Sequence, residues 1–107
     1  MDQLGQVMAA VSDPTRRAIL DRLARGPSRV TDIAEPFAMS LNAVSKHIKV
    51  LEQAGLVRRK VEGREHRLEL NAAPLRDVSR WADRYARFWI EKLDRLEAHF
   101  AKGENKR

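Results

Sequence analysis

Histidines are few in this chain and lie far apart. The three histidines, His47, His66 and His99, fall in three different predicted elements and share no spacing typical of metal ligands. The absence of cysteine excludes thiolate metal sites, disulfide bonds and thiol redox chemistry. The sequence also contains no glycine-rich phosphate loop and no recognisable Ser/His/Asp arrangement. We therefore predict that the protein is not an enzyme and has no metal site and no cofactor.

A second group of side chains, between residues 40 and 49, suits a different kind of chemistry. Apolar residues recur there at spacings of three and four, which predicts a helix over 41–54 with one buried face. That face consists of Leu41, Val44, Ile48 and Leu51. Ser40 is a suitable N-cap and Gly55 a suitable terminator. The residues outside the stripe are mainly small, polar or basic: Asn42, Ala43, Ser45, Lys46, His47 and Lys49.

Such a face suits an anionic partner. Asparagine can pair with adenine, and lysine can reach guanine acceptors or phosphate oxygens. The 107-residue chain has a net charge of +6, which favours nucleic acid or an anionic membrane surface without choosing between them. No stretch approaches the roughly 20 apolar residues of a membrane span, and the N-terminus lacks the features of a secretion signal. We expect a cytoplasmic protein without a membrane partner.

Shorter helices precede this one. Residues 3–11 place Leu4, Val7, Met8 and Val11 on one helical face. Asp13 and Pro14 predict the start of a second helix over 14–25. A third helix begins within 29–31, capped by either Ser28 or Thr31, and Pro36 limits its length. A short helix, a turn at 38–40 and the helix over 41–54 have the layout of a helix-turn-helix.

A basic hairpin follows. Residues 56–61 and 66–70 predict two short strands, joined by a turn that contains Gly63. A helix-turn-helix followed by such a hairpin predicts a winged helix. The wing, residues 58–67, has five basic and two acidic residues, so its charge is 5 − 2 = +3. We predict DNA contacts by Arg58, Arg64 and Arg67, with Arg64 nearest the minor groove or flanking phosphates. The alternative, strongest for Arg59 and Lys60, is that these charges protect an edge strand from aggregation.

The last predicted helix, over 75–101, contains both tryptophans and the only tyrosine. Its apolar stripe is wider than one short neighbouring helix can cover, so we predict a dimer interface shared with the first helix. The alternative is that these residues cover the protomer's own core. The predicted interface comprises Leu4, Val7, Met8, Val11, Val78, Trp81, Tyr85, Phe88, Trp89, Leu93 and Leu96. We expect one domain over 1–102 and a frayed basic tail over 103–107.

Three segments carry a resemblance to a known family. They are Val11–Leu23 (VSDPTRRAILDRL), Met39–Val57 (MSLNAVSKHIKVLEQAGLV), and the wing pieces Glu62–Arg64 and His66–Leu68. Together they resemble the ArsR-type (ArsR/SmtB) winged-helix repressors of bacteria. The resemblance implies a homodimer that binds an operator near its own promoter and represses. Metal-sensing members carry cysteines on the third helix or paired ligands on the last. This chain has no cysteine over 30–34 and only His99 on the last helix, so it looks closer to the metal-independent branch.

The expected fold is mainly α with a small β-hairpin, in the order α-α-α-α-β-β-α, and homodimeric. The expected function is sequence-specific binding of double-stranded DNA, most simply as an (auto)repressor on an imperfect palindrome. Asn42, Ala43, Ser45, Lys46 and His47 would face base edges, with Ser40 and Lys49 nearer phosphates. The alternative for His47 is that it packs against the third helix. One alternative is a winged helix that docks an acidic protein. Another is a repressor with a small-molecule pocket between protomers, lined by Trp81, Tyr85 and Trp89. The inducer and the operator sequence stay open.

Overall fold

The computed structural model describes residues 2–105, and the side chains up to residue 103. This part of the chain contains five helices and three strands. In chain order they are α1 (Gln3–Val11), α2 (Pro14–Leu23), β1 (Ser28–Arg29), α3 (Val30–Ala34), α4 (Leu41–Gln53), β2 (Val57–Glu62), β3 (Glu65–Leu70) and α5 (Ala73–Asn105).

Side-chain caps fix where the helices begin. The carboxylate of Asp13 accepts from the backbone N–H of Arg16 at 3.1 Å, and Pro14 occupies the first turn of α2. The hydroxyl of Ser40 accepts from the N–H of Ala43 at 3.1 Å at the start of α4. Both predicted caps are thus confirmed. The prediction that Ser28 or Thr31 caps α3 is wrong, because α3 starts from extended Arg29 without a side-chain cap.

The sheet has one strand more than predicted. The hairpin of β2 and β3 is confirmed, with Gly63 at a φ of +63° in its turn. On the other edge of β3, β1 pairs antiparallel, with Ser28 opposite Leu68, so the strand order is β1-β3-β2. Two residues are too few to show alternation, which is why the sequence did not predict β1. The buried hydroxyl of Ser28 accepts from Arg22 at 3.2 Å, which ties this strand to α2.

The core lies between α1, α2, α4 and the sheet. Its largest fully buried side chains are Ile19, Ile33, Ile48, Leu51, Leu56, Leu68, Val7 and Val44. Two predictions need correction. Leu41 is 51% exposed, because it is the first residue of α4 and extends past the layer that covers the next turns. Val7 is 1% exposed, so it belongs to the protomer's own core rather than to its surface.

Only the start of α5 packs on this core. Pro74 is buried, while Leu75 and Val78 are partly buried against the core beside α1. The helix has 33 residues, about 50 Å at 1.5 Å per residue, and it extends to Asn105 instead of ending near residue 101. Residues 103–105 of the predicted frayed tail are therefore helical, and residues 106–107 lie outside the described residues. Within residues 2–105, no helix is both long enough and apolar enough to cross a membrane.

Candidate nucleic-acid interface

Helix α4 has a buried face and an outward face. Val44, Ile48 and Leu51 are 0% exposed and hold the helix on the core. On the opposite side Asn42, Lys46 and Lys49 are exposed, and Ala43 and Ser45 are half-buried. Within the described part of the chain, no ion pair or side-chain hydrogen bond engages Asn42, Lys46 or Lys49. These groups therefore remain available for contacts outside the protomer.

His47 is engaged inside the protomer. Its Nδ1 lies 3.2 Å from Nη1 of Arg16 and 3.8 Å from the Asp13 carboxylate, both at the start of α2. Because arginine can only donate, Nδ1 must accept in this contact. The ring thus packs against α2. It does not turn wholly outward, and it does not pack against α3, which was the alternative. Of its ring nitrogens, only Nε2 remains for a contact with DNA.

Arg16 connects this contact to α1. Its Nε donates to the carbonyl of Ala10 at 2.6 Å, and its Nη2 donates to that of Ala9 at 3.0 Å. These carbonyls are in the last turn of α1, where backbone acceptors lack helical partners. One guanidinium therefore links the end of α1 to the middle of α4. The sequence analysis missed Arg16, although its position three residues after a helix cap placed it beside the preceding helix end.

The wing residues differ in what they contact. Arg64 is exposed beside the turn glycine and takes part in no ion pair among the described residues. Arg58 lies 3.8 Å from Glu69, and Arg67 lies 3.9 Å from Glu65. The strand register puts Arg58 and Arg67 on one face of the hairpin and Arg59 on the other. Of the three predicted wing contacts, Arg64 is the one without a carboxylate neighbour.

A salt bridge joins the wing to α4. Nη2 and Nε of Arg59 lie 2.7 and 3.3 Å from the two carboxylate oxygens of Glu52, and Nη1 lies 3.0 Å from Nδ1 of His66. The hydrogen bonds that Arg59 donates to the Glu52 carboxylate raise the pKa of Arg59 above its ordinary value. This supports a structural role for Arg59. Glu52 was missed, although it is the only acidic residue in α4.

Between α4 and the wing lies a groove of about 590 Å³. It is lined by Arg29, Val30, Thr31, Leu41, Ser45, Arg59, Arg64, Glu65 and His66. Three of these residues are arginines: Arg29 pairs with Asp32 and Glu65, Arg59 pairs with Glu52, and Arg64 has no ion pair among the described residues. Its chemistry suits a polyanion that contacts α4 and the wing together.

The distal part of α5 carries an uncovered apolar stripe. Exposure reaches 54% at Tyr85, 55% at Trp89 and 59% at Leu93. Phe88 and Leu96 are 50% and 51% exposed. The other predicted interface residues, Leu4, Met8, Val11, Val78 and Trp81, are partly buried in the protomer. Apart from Val7, the predicted interface residues thus retain surface that a partner could cover.

The three aromatic residues of the predicted small-molecule pocket do not meet in one cavity of the protomer. The rings of Trp81 and Tyr85 are 5.0 Å apart and line one depression with Phe88. Trp89 lines a different depression, with Leu93 and Leu96. Among the described residues, no cluster of three or more His, Asp or Glu side chains could hold a metal ion.

The fold and this interface define the class of protein. A helix-turn-helix with a basic β-hairpin after its second helix is a winged-helix DNA-binding domain, and residues 11–60 match a helix-turn-helix domain family. The chain is 38% identical to the transcriptional repressor SdpR of Bacillus subtilis, over 73% of this chain and 87% of that protein.

Similar solved structures identify the family within this class of protein. An ArsR-like transcriptional regulator from Rhodococcus sp. RHA1 is 33% identical, with a TM-score of 0.77, over 89% of this chain and 87% of that one. A homodimeric winged helix-turn-helix DNA-binding domain from Mycobacterium bovis, a possible ArsR-family regulator, is 30% identical, with a TM-score of 0.64, over 79% and 82%. This chain belongs to the ArsR family of winged-helix transcriptional regulators. It is a DNA-binding regulator and not an enzyme.

Proposed function

We propose that this protein is a homodimeric transcriptional repressor that binds an imperfect palindromic operator near its own promoter. The observation that carries the proposal is the groove between α4 and the wing, which Arg64 lines without an ion pair among the described residues. Beside it, Asn42, Lys46 and Lys49 on the outward face of α4 have no ion pair or side-chain hydrogen bond among the described residues. A second support is the similarity to the repressor SdpR. Residues 1–102 would act as one unit in this function.

The DNA contacts would divide by position. Asn42, Ser45 and Lys46 would reach base edges in the major groove, with Ala43 allowing close approach. Ser40 and Lys49 would contact phosphates. Arg64 would reach the minor groove or its phosphates from the wing tip, while Arg58 and Arg67 would add weaker contacts on the outer face of the hairpin. His47 would orient α4 through Arg16 and offer only Nε2 to DNA.

Dimerisation would bring two such surfaces together. The exposed apolar stripe of α5, with Leu4, Met8 and Val11 of α1, would pack against its symmetry mate. Homodimer interfaces are rich in aromatic residues, as this stripe is. The homodimeric relative from Mycobacterium bovis supports the same state. Two recognition helices would then lie about 34 Å apart, which matches one turn of DNA.

We also propose that DNA binding by this repressor is independent of a metal ion. The chain has no cysteine, and its histidines are spread over α4, β3 and α5. Dialysis against a chelator would leave the DNA affinity unchanged, and zinc would not release the DNA. A chelator-dependent loss of affinity would contradict this proposal.

Fluorescence anisotropy tests the main proposal. The purified protein is titrated onto labelled DNA from upstream of its own gene and onto a scrambled duplex, near 150 mM salt. A specific autoregulator should prefer the upstream duplex by about 10³-fold, since specific sites exceed non-specific ones by at least this factor. If binding to both is equal and weak, selection from random duplexes determines whether a different operator exists. If selection enriches no sequence, the proposal fails.

A further inference from the structure

Leu41 is an exposed apolar residue at the start of the recognition helix. It is 51% exposed, whereas Val44, Ile48 and Leu51 of the same apolar stripe are 0% exposed. It therefore contributes far less to the core than the spacing of the stripe predicts. Among the described residues nothing covers half of its side chain, so this half is available to a partner.

Leu41 lies in the groove between α4 and the wing. It lines the groove with Ser45 of α4 and with Val30 and Thr31 of α3, and Arg64 lines the same groove from the wing. Leu41 also directly follows the N-cap Ser40, so it is in the first turn of α4. The N-terminal residues of a recognition helix are the ones that approach base edges. A ligand in this groove would therefore meet an apolar side chain beside basic ones.

Double-stranded DNA offers one apolar group on its major-groove edge, the 5-methyl group of thymine. We infer that Leu41 is a specificity-determining residue that packs against the 5-methyl group of a thymine in each operator half-site. The inference rests on the proposed function, since it names one base that the recognition helix reads. It adds an apolar contact to the polar reading by Asn42, Ser45 and Lys46.

Uracil substitution tests the contact one methyl group at a time. The operator is first obtained with wild-type protein by selection from random duplexes. Each thymine is then replaced singly by deoxyuridine, which removes only the 5-methyl group and keeps base pairing and the O4 acceptor. Wild-type protein should lose about fourfold in affinity at one thymine of a half-site, the value for one buried methylene-sized group. Other thymines should show little change.

The variant Leu41→Ala supplies the second half of the test. It should bind the unmodified operator more weakly, and it should not distinguish thymine from uracil at the position that wild type reads. Leu41→Met, which keeps an apolar side chain, should retain part of the discrimination. Ile90→Ala is the matched control, because Ile90 is similarly exposed, at 54%, but lies on α5, away from the groove. This variant should distinguish thymine from uracil as wild type does. If Leu41→Ala binds too weakly to measure near 150 mM salt, wild type and Leu41→Ala are compared at lower salt, where phosphate contacts strengthen the binding of both.

The outcomes separate this inference from the function on which it rests. If no duplex is selected, the proposed function fails. If an operator is found but no uracil weakens wild-type binding, the inference is overturned while the proposed function stands. The inference is also overturned if Leu41→Ala loses as much affinity as wild type at the same uracil. Loss of discrimination in Leu41→Ala alone, with Ile90→Ala unchanged, supports it.

Discussion

Two regions of this protein have the same amphipathic sequence pattern, but one buries its apolar face and the other leaves it exposed. We call residues 3–78 the head and residues 81–105, the distal part of α5, the tail. In the head, α4 buries Ile48 and Leu51 completely. In the tail, Trp89 and Leu93 stand in an equally regular apolar stripe but are 55% and 59% exposed. An amphipathic pattern therefore identifies an apolar face without identifying what covers it.

The difference has an energetic meaning. Burying one large apolar side chain stabilises the folded state by about 1.5–3 kcal/mol. The head gains this within one chain, through α1, α2 and the sheet. The tail gains little in a single protomer, because its stripe faces solvent and the molecule is 74 Å long against 29 and 24 Å in the other directions. On this account the head folds on its own core and the tail requires a second copy.

The largest expected effect is on the tail. Trp89→Glu would place a charge in the proposed interface and weaken the dimer by about 4 kcal/mol, on the order of 1,000-fold in Kd. Sedimentation at several concentrations measures it. Ile90→Glu is the control, since Ile90 is 54% exposed but lies off the stripe, and it should dimerise as wild type does. Equal dimer affinity in both variants would remove the distinction between head and tail.

In the head, the next largest effect is expected from the core of α4. Leu51→Ala removes a fully buried side chain and should lower the free energy of unfolding by about 3 kcal/mol, within the usual range for such cavities. Chemical denaturation at fixed protein concentration measures the loss. Leu41→Ala, on the same helix but half exposed, should change stability by less than about 0.5 kcal/mol. Similar losses in the two variants would mean that Leu41 is a core residue after all.

The outward face of α4 should affect DNA binding and leave folding unchanged. Asn42→Ala is expected to cost about 2 kcal/mol at one base pair and to relax specificity there, because a bidentate pair with adenine is lost. Anisotropy on operators altered at each position measures this. Gln53→Ala, which removes an exposed amide at the other end of α4, should bind as wild type does. A uniform loss by Asn42→Ala on every duplex would show that Asn42 reads no base.

The wing tip should contribute through charge alone. Arg64→Ala should weaken binding to all duplexes and reduce the slope of log affinity against log salt by about one, since one phosphate contact is lost. Titrations between 50 and 200 mM salt give the slope. Arg95→Ala, an exposed arginine of the tail, provides the control and should keep the wild-type slope. An unchanged slope for Arg64→Ala would exclude Arg64 from the contact.

The smallest effect concerns the junction of α2 with α4. The hydrogen bond from the backbone N–H of Arg16, with the nearby charge of Arg16, lowers the pKa of Asp13 below its ordinary value of 3.8. Ionised Asp13 therefore stabilises the folded head above about pH 4, and this contribution is lost as the pH falls through the lowered pKa. Asp13→Asn keeps a cap but lacks the charge. Its melting temperature should lie below that of wild type at pH 7, and the gap should close as the pH falls through the lowered pKa of Asp13; a gap independent of pH would contradict the account.

Local signals predicted the helix-turn-helix and the wing well. Ser40 and Gly55 bracket α4, and Gly63 determines the turn of the hairpin, because caps and positive φ depend on individual residue types. Such signals are readable without knowing the tertiary structure. The predicted helix over 41–54 accordingly differs from the observed Leu41–Gln53 by a single residue.

The failures share a different cause, since each depends on what lies beside a residue in space. Val7 and Leu41 both fit apolar stripes, yet one is buried and the other exposed, because α1 lies against the core while α4 starts beyond it. His47 fits the polar face of α4 by its spacing, but Arg16 of α2 lies beside it and engages its ring. Strand β1 is defined by its pairing with β3, a partner distant in sequence.

The central claim is that the head binds the operator and the tail joins two heads into one repressor. The most direct test is analytical ultracentrifugation of wild-type protein with its labelled operator, at saturation and near 150 mM salt. The account predicts two protomers on each duplex. A saturated complex with one protomer per duplex and full specific affinity would contradict it.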